Sequence, residues 1–164
     1  MGIGTTDGKA AAFANMNGSA VFYTRSRGYL SDFVRAGMQK IFGNSLASRQ
    51  FAGYLRGSNG FSVAAHSEGT LTLAGAIKHL AVDGIKLPQT EFSFNGPVIM
   101  KSTAFNLANM VGAPQPKYSL NLGDPIGFFT TLNPVTASLH GVIGVSTLAT
   151  FHSTKYYPNM SVGY

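Results

Sequence analysis

The segment Ala65-His66-Ser67-Glu68-Gly69 has the spacing of a nucleophile elbow, a sharp turn that presents a serine between a strand and a helix. Ala65 and Gly69, two positions before and after the serine, are small enough to leave room for that turn. The usual pattern has glycine at the first of these positions, and alanine keeps a small side chain there while tolerating less backbone strain. The spacing predicts nucleophilic catalysis by Ser67 through a covalent acyl-enzyme.

A serine hydroxyl needs a base to take its proton, and the chain has four histidines. His66 adjoins the serine, and His79 lies on the helix expected after it. In the chain order that accompanies such an elbow, the serine is followed by the acid and then by the histidine, which leaves His140 and His152. We favour His152 because it lies in a late segment typical of a loop, whereas His140 lies within or beside a predicted strand.

The same chain order restricts the acid that orients the histidine to Asp83, Glu91 and Asp124. Asp124 follows a predicted strand directly, at the edge of a parallel sheet where functional side chains collect. Asp83 instead ends a predicted helix, and Glu91 begins a strand at the opposite edge of the sheet. These positions predict a catalytic triad of Ser67, Asp124 and His152.

Acyl transfer also needs hydrogen-bond donors for the oxyanion that develops on the substrate. The backbone N–H of Glu68, at the start of the helix after the serine, is the expected first donor. The glycine-rich segment that contains Ile3 is the expected source of a second. This chemistry requires neither a metal ion nor an organic cofactor.

Each of these residues also has a purely structural interpretation. Ser67 could cap the helix that follows, since serine is a preferred N-cap residue. Asp124 could be the turn residue of an Asp-Pro pair, and His152 could be an ordinary surface histidine. The strand before the serine, the helix after it and the permitted order of acid and histidine favour catalysis.

Short strands alternate with helices along the chain, which predicts one α/β domain over residues 1–164, with a mostly parallel sheet and helices on both faces. The segments around the serine are expected to be a strand over 61–65, a turn over 66–69 and a helix over 70–82. The other expected strands cover 19–24, 91–95, 118–122 and a segment near 139–145. The other expected helices cover 5–17, 31–42, a segment from Ser45 or Ser48 to about 55, and 102–110.

The composition restricts the partners of the chain. Twelve basic residues against six acidic ones give a net charge of +6, which favours a negatively charged partner such as an anionic lipid surface or an acidic protein. The basic residues are scattered, so specific nucleic-acid binding is not expected.

The chain has no cysteine, which excludes disulfides, thiolate metal sites and a cysteine nucleophile. No apolar run approaches the roughly 20 residues of a membrane-spanning helix.

Several segments together resemble lipase-like α/β-hydrolase domains, and most closely those at the C-termini of bacterial polymorphic and contact-dependent growth-inhibition toxins. The resemblance covers nearly the whole chain. It rests on Ala65 to Leu71, Val21-Phe22-Tyr23, Asn95-Gly96-Pro97, Gly123-Asp124-Pro125, and His152-Ser153 with Tyr156-Tyr157. It implies a minimal α/β-hydrolase fold and a Ser67, Asp124, His152 triad acting on esters, often membrane lipids. It also implies delivery into a target cell as the C-terminal part of a larger toxin, and a cognate immunity protein.

Ester hydrolysis, on a lipid or a small ester, is therefore the expected function. A thioesterase, peptidase or acyltransferase would use the same triad. The alternative function, from a different functional class, is that of a non-catalytic domain of the same fold that binds an anionic surface or an acidic protein. A nucleic-acid-degrading toxin is disfavoured, because no cluster of carboxylates or histidines in the sequence suggests a metal site.

Overall fold

The computed structural model of the chain describes residues 46–57 and 60–120, in which three helices alternate with three strands. The strands are parallel and lie side by side in the order β1-β2-β3. This part of the chain therefore has an α/β architecture, as the alternation of short strands and helices predicts. The elements are α1 (Leu46–Leu55), β1 (Ser62–His66), α2 (Gly69–Val82), β2 (Glu91–Asn95), α3 (Lys101–Met110) and β3 (Lys117–Ser119).

The alternating pattern of β2 places its two phenylalanines on one face of the sheet. Phe92 and Phe94 are almost completely buried, and their partners on β1 in the parallel register are Val63 and Ala65. All four residues belong to the hydrophobic core or pack against it. Burial of a phenylalanine side chain contributes roughly 1.5–3 kcal/mol, so β2 anchors the centre of this sheet.

Helix α2 is the main helical contribution to the core. Its apolar side chains Leu73, Ile77 and Leu80 are fully buried, and the helix contacts both α1 and α3. The described helices therefore pack on one another through α2.

Helix α2 ends where the sequence predicts a break. Gly84 has φ +71°, a left-handed conformation that favours glycine. The N–H of Gly84 donates to Ala81 O at 3.1 Å and that of Ile85 to Leu80 O at 2.9 Å. This Schellman arrangement satisfies the last carbonyls of the helix and turns the chain back toward β2.

The bounds of the elements agree closely with the expectations for this region. The predicted strand over 91–95 is confirmed without change, and α2 and α3 each begin one residue before their predicted starts. Strand β3 begins one residue before the predicted start at 118 and ends at Ser119, and the predicted positions 121–122 lie outside the described residues. Strand β1 runs from Ser62 to His66, one residue later than predicted, because His66 pairs with Asn95. The elements predicted over 5–42 and near 139–145 lie outside the described residues. None of the described helices is long and apolar enough to cross a membrane.

Candidate active site

Ser67 lies in a sharp turn between a strand and a helix. It follows the last residue of β1 directly, and α2 begins only two positions later, at Gly69. Its φ of +54° is the only positive φ of a non-glycine residue in the described part of the chain. A left-handed conformation costs a non-glycine residue roughly 1–2 kcal/mol, so the surrounding structure must hold the serine in it.

Three hydrogen bonds hold the backbone of Ser67 from both sides. Its N–H donates to the carbonyl of Asn95 at 3.0 Å. Its carbonyl accepts from the N–H of Thr70 at 2.9 Å and from the hydroxyl of Thr70 at 2.6 Å. Because both peptide groups that flank the serine are anchored, the local conformation is fixed by the neighbouring strand and by the first turn of α2.

The Ser67 side chain takes no part in this anchoring. The residue is completely buried, and its hydroxyl oxygen has no hydrogen-bond partner among residues 46–57 and 60–120. Leaving a buried hydroxyl unsatisfied costs roughly 1–3 kcal/mol, and native proteins keep few such groups. The hydroxyl is therefore available to a base from outside this part of the chain.

The geometry of the turn contradicts the helix-cap interpretation of Ser67. An N-cap residue has extended backbone angles, and its side-chain oxygen accepts a hydrogen bond from the first turn of the helix. Ser67 instead has a left-handed backbone. The residue at the cap position is Glu68, with φ −54° and ψ −31°, and its side chain makes no capping hydrogen bond.

Glu68 places a backbone N–H beside Ser67, at the position where the sequence predicts an oxyanion donor. It follows Ser67 directly and has helical backbone angles at the N-terminal end of the 14-residue helix α2. N–H groups at a helix start point out of the helix, and the aligned peptide dipoles add roughly half a positive charge there. A developing negative charge near Ser67 Oγ would be stabilised at this position.

The carboxyl ends of all three strands are tied together at the edge that carries Ser67. Asn95, the last residue of β2, is fully buried, and its amide Nδ2 donates to Ala65 O at 3.4 Å. Gly96 adopts φ +51°, and its N–H donates to the carbonyl of Ser119 at 2.9 Å. His66 is also buried, paired with Asn95 in the sheet register.

The two acids that the sequence disfavoured lie at the far edge of the sheet from Ser67. Asp83 ends α2, a helix about 21 Å long at 1.5 Å per residue, and forms an exposed ion pair with Arg56. Glu91 is the first residue of β2 and lies 3.5 Å from Lys117 across the sheet. Neither carboxylate therefore lies where it could orient a histidine at the serine.

The structure thus places Ser67 and the Glu68 backbone together at the turn. Asp124, His152, the alternative histidine His140 and the second oxyanion donor Ile3 lie outside the described residues. Two residues that support the turn, Thr70 and Asn95, carry roles that the sequence analysis did not assign. In the sequence these two residues are visible only as polar residues, Thr70 directly after the elbow and Asn95 at the end of the next strand.

Within residues 46–57 and 60–120, no group of three or more histidine, cysteine, aspartate or glutamate side chains is arranged to hold a metal ion. Comparison of the chain with protein-family models, with curated proteins and with solved structures finds no match.

Proposed function

We propose that this chain is a serine ester hydrolase with a minimal α/β-hydrolase fold and that Ser67 is its nucleophile. One observation carries the proposal: a left-handed serine between a parallel strand and a helix, with its backbone anchored on both sides and its hydroxyl unbonded within the described residues. Backbone strain of this kind collects at functional sites because the surrounding structure has to maintain it.

The proposed reaction proceeds through an acyl-enzyme. Ser67 Oγ attacks the ester carbonyl carbon while His152 takes the hydroxyl proton, and the resulting oxyanion accepts hydrogen bonds that include the Glu68 N–H. The tetrahedral intermediate collapses, the ester C–O bond breaks, and His152 returns the proton to the leaving alkoxide. Water then hydrolyses the acyl-enzyme by the same steps, which releases the carboxylic acid and restores Ser67.

The first experiment measures hydrolysis of p-nitrophenyl butyrate and labelling by a small fluorophosphonate in the wild type, Ser67→Ala and Ser62→Ala. Ser62 is an exposed serine at the start of β1, the strand that leads to Ser67, and serves as the matched control. We expect Ser67→Ala to lose at least about four orders of magnitude in kcat and all labelling, with Ser62→Ala unchanged. Labelling also tests access to the buried hydroxyl. A folded wild type that neither reacts nor labels would refute the proposal and favour the non-catalytic binding domain.

The identity of the base is tested in the same assay. We expect His152→Ala to reduce kcat by at least about a thousandfold, because the serine loses its proton acceptor, with His140→Ala near wild type. The reverse ranking would assign the base to His140 and leave Ser67 as the nucleophile.

The resemblance to toxin domains supports a biological setting for this activity. We propose a membrane lipid as the substrate and a cognate immunity protein as the partner, with the net charge of +6 favouring contact with anionic lipid. Induced expression in a bacterial host should arrest growth and release fatty acid, and Ser67→Ala should do neither. Hydrolysis of p-nitrophenyl butyrate without lipid hydrolysis or growth arrest would restrict the function to small esters.

A further inference from the structure

Thr70 makes two hydrogen bonds with one fully buried hydroxyl. The hydroxyl donates to the carbonyl of Ser67 at 2.6 Å and accepts from the N–H of Val98 at 3.0 Å. Thr70 lies in the first turn of α2, whereas Val98 lies in the loop between β2 and α3. One side chain thus joins the turn that carries the serine to the loop that follows the neighbouring strand.

We infer that Thr70 is a positioning residue for the nucleophile, an inference that rests on the proposed function of Ser67. Its hydroxyl connects the carbonyl of the strained serine to the loop between β2 and α3. The N–H of Ser67 is held by the carbonyl of Asn95, which directly precedes the same loop. Both peptide groups of the serine are therefore held by this part of the chain. The N–H bonds directly to the end of β2, and the carbonyl is connected to the following loop through the Thr70 hydroxyl.

Loss of the Thr70 hydroxyl would leave the Val98 N–H buried without this acceptor and the Ser67 carbonyl with only the backbone bond from residue 70. Both groups would move toward new partners, and the left-handed turn would lose one of its three constraints. Displacement of a reacting group by about 1 Å can reduce a rate about a hundredfold. The effect should therefore appear in the reactivity of Ser67 as well as in stability.

A second threonine provides a matched control. Thr90 is also fully buried, and its hydroxyl accepts from the N–H of Gly60 at 3.4 Å. It lies immediately before β2, about 16 Å along that strand from the end that bonds Ser67, at 3.3 Å per residue. The substitution Thr90→Val therefore removes an equivalent buried hydroxyl at the far edge of the sheet.

The test measures the second-order rate of fluorophosphonate labelling, kcat and KM for p-nitrophenyl butyrate, and Tm, in wild type, Thr70→Val, Thr70→Ser and Thr90→Val. We expect Thr70→Val to label at least tenfold more slowly and to lose kcat by the same factor with KM within twofold. Thr70→Ser retains the hydroxyl and should stay within threefold of wild type. Thr90→Val should lose Tm and keep its labelling rate.

Two results would overturn the inference while leaving the nucleophile assigned: wild-type labelling by folded Thr70→Val, or equal slowing in Thr90→Val, which would indicate a general loss of stability. If Thr70→Val does not fold, Thr70→Ala replaces it. Alanine lacks the γ-methyl group that valine would place against the Ser67 carbonyl and the Val98 N–H. Absence of labelling in the folded wild type is a separate result that would refute the proposed function itself.

Discussion

Substitution of Ser67 by alanine and by glycine should stabilise the protein while removing its activity. Alanine removes a buried hydroxyl that has no partner in the described part of the chain, but it keeps the left-handed strain. Glycine removes the hydroxyl and the strain together, because it adopts φ near +54° at no steric cost. The ranking of the two variants therefore reports the backbone conformation of the serine, independently of any substrate.

The magnitudes follow from two opposing terms. Left-handed backbone costs alanine roughly 1–2 kcal/mol, and the greater freedom of glycine in the unfolded chain costs about 0.5–1 kcal/mol. Ser67→Gly should therefore be more stable than Ser67→Ala by about 0.5–1 kcal/mol. Removal of the unsatisfied hydroxyl should make Ser67→Ala itself about 1 kcal/mol more stable than wild type. In a domain of this size, 1 kcal/mol raises Tm by about 2–4 °C.

Urea and thermal unfolding followed by circular dichroism measure these differences, with Ser62 as the control position. Ser62 begins β1 in ordinary strand backbone, where glycine should be less stable than alanine by about 0.5–1 kcal/mol. The order of glycine and alanine should thus invert between positions 62 and 67. The same order at both positions would refute the left-handed turn, and a destabilised Ser67→Ala would show that the hydroxyl is hydrogen-bonded in the folded protein.

Three further predictions follow from the same structure. Asp83→Asn should leave esterase activity within twofold of wild type, because Asp83 lies at the far edge of the sheet. Asp124→Asn, in the proposed triad acid, should reduce kcat by about three to four orders of magnitude in the same kinetic assay. Gly96→Ala should lower the free energy of unfolding in urea by about 0.5–1 kcal/mol, because φ is +51° and the strain outweighs the lost freedom of glycine in the unfolded chain. Gly53→Ala, in an exposed part of α1 with open space around it, should raise it by up to about 1 kcal/mol. Phe94→Ala should cost about 3–5 kcal/mol in thermal or urea unfolding, and a cost below 1 kcal/mol would contradict the complete burial of this ring.

The elements near the elbow could be predicted because their signals are local. Strand β2 alternates buried phenylalanines with polar residues and stops at Gly96-Pro97, so its bounds follow from the sequence alone. The small residues around Ser67 likewise indicate a sharp turn before any contact is known. The apolar pattern predicts the start of β1 one residue early because it includes Phe61, a residue that is 51% exposed and precedes the strand.

The supporting contacts of the elbow could not be predicted because they join residues distant in sequence. The bond from Ser67 N–H to Asn95 depends on the parallel register of two strands joined by a helix, which no local pattern specifies. The second bond of the Thr70 hydroxyl depends on the path of the loop at Val98. Sequence spacing predicts a reactive serine at position 67, and the tertiary structure shows the groups that hold its backbone.

The choice of residue at position 67 is itself an argument for catalysis. Besides Ser67, four residues in the described part of the chain have positive φ, and every one of them is glycine: Gly60, Gly84, Gly96 and Gly112. Glycine would form the same turn at position 67 without strain, and the hydrogen bonds that hold the turn use only the backbone of Ser67. Serine therefore contributes one thing that glycine lacks, a hydroxyl, and that hydroxyl has no structural bond within the described residues. A strained and unsatisfied serine lowers stability, and the proposed chemistry of the hydroxyl would offset this cost.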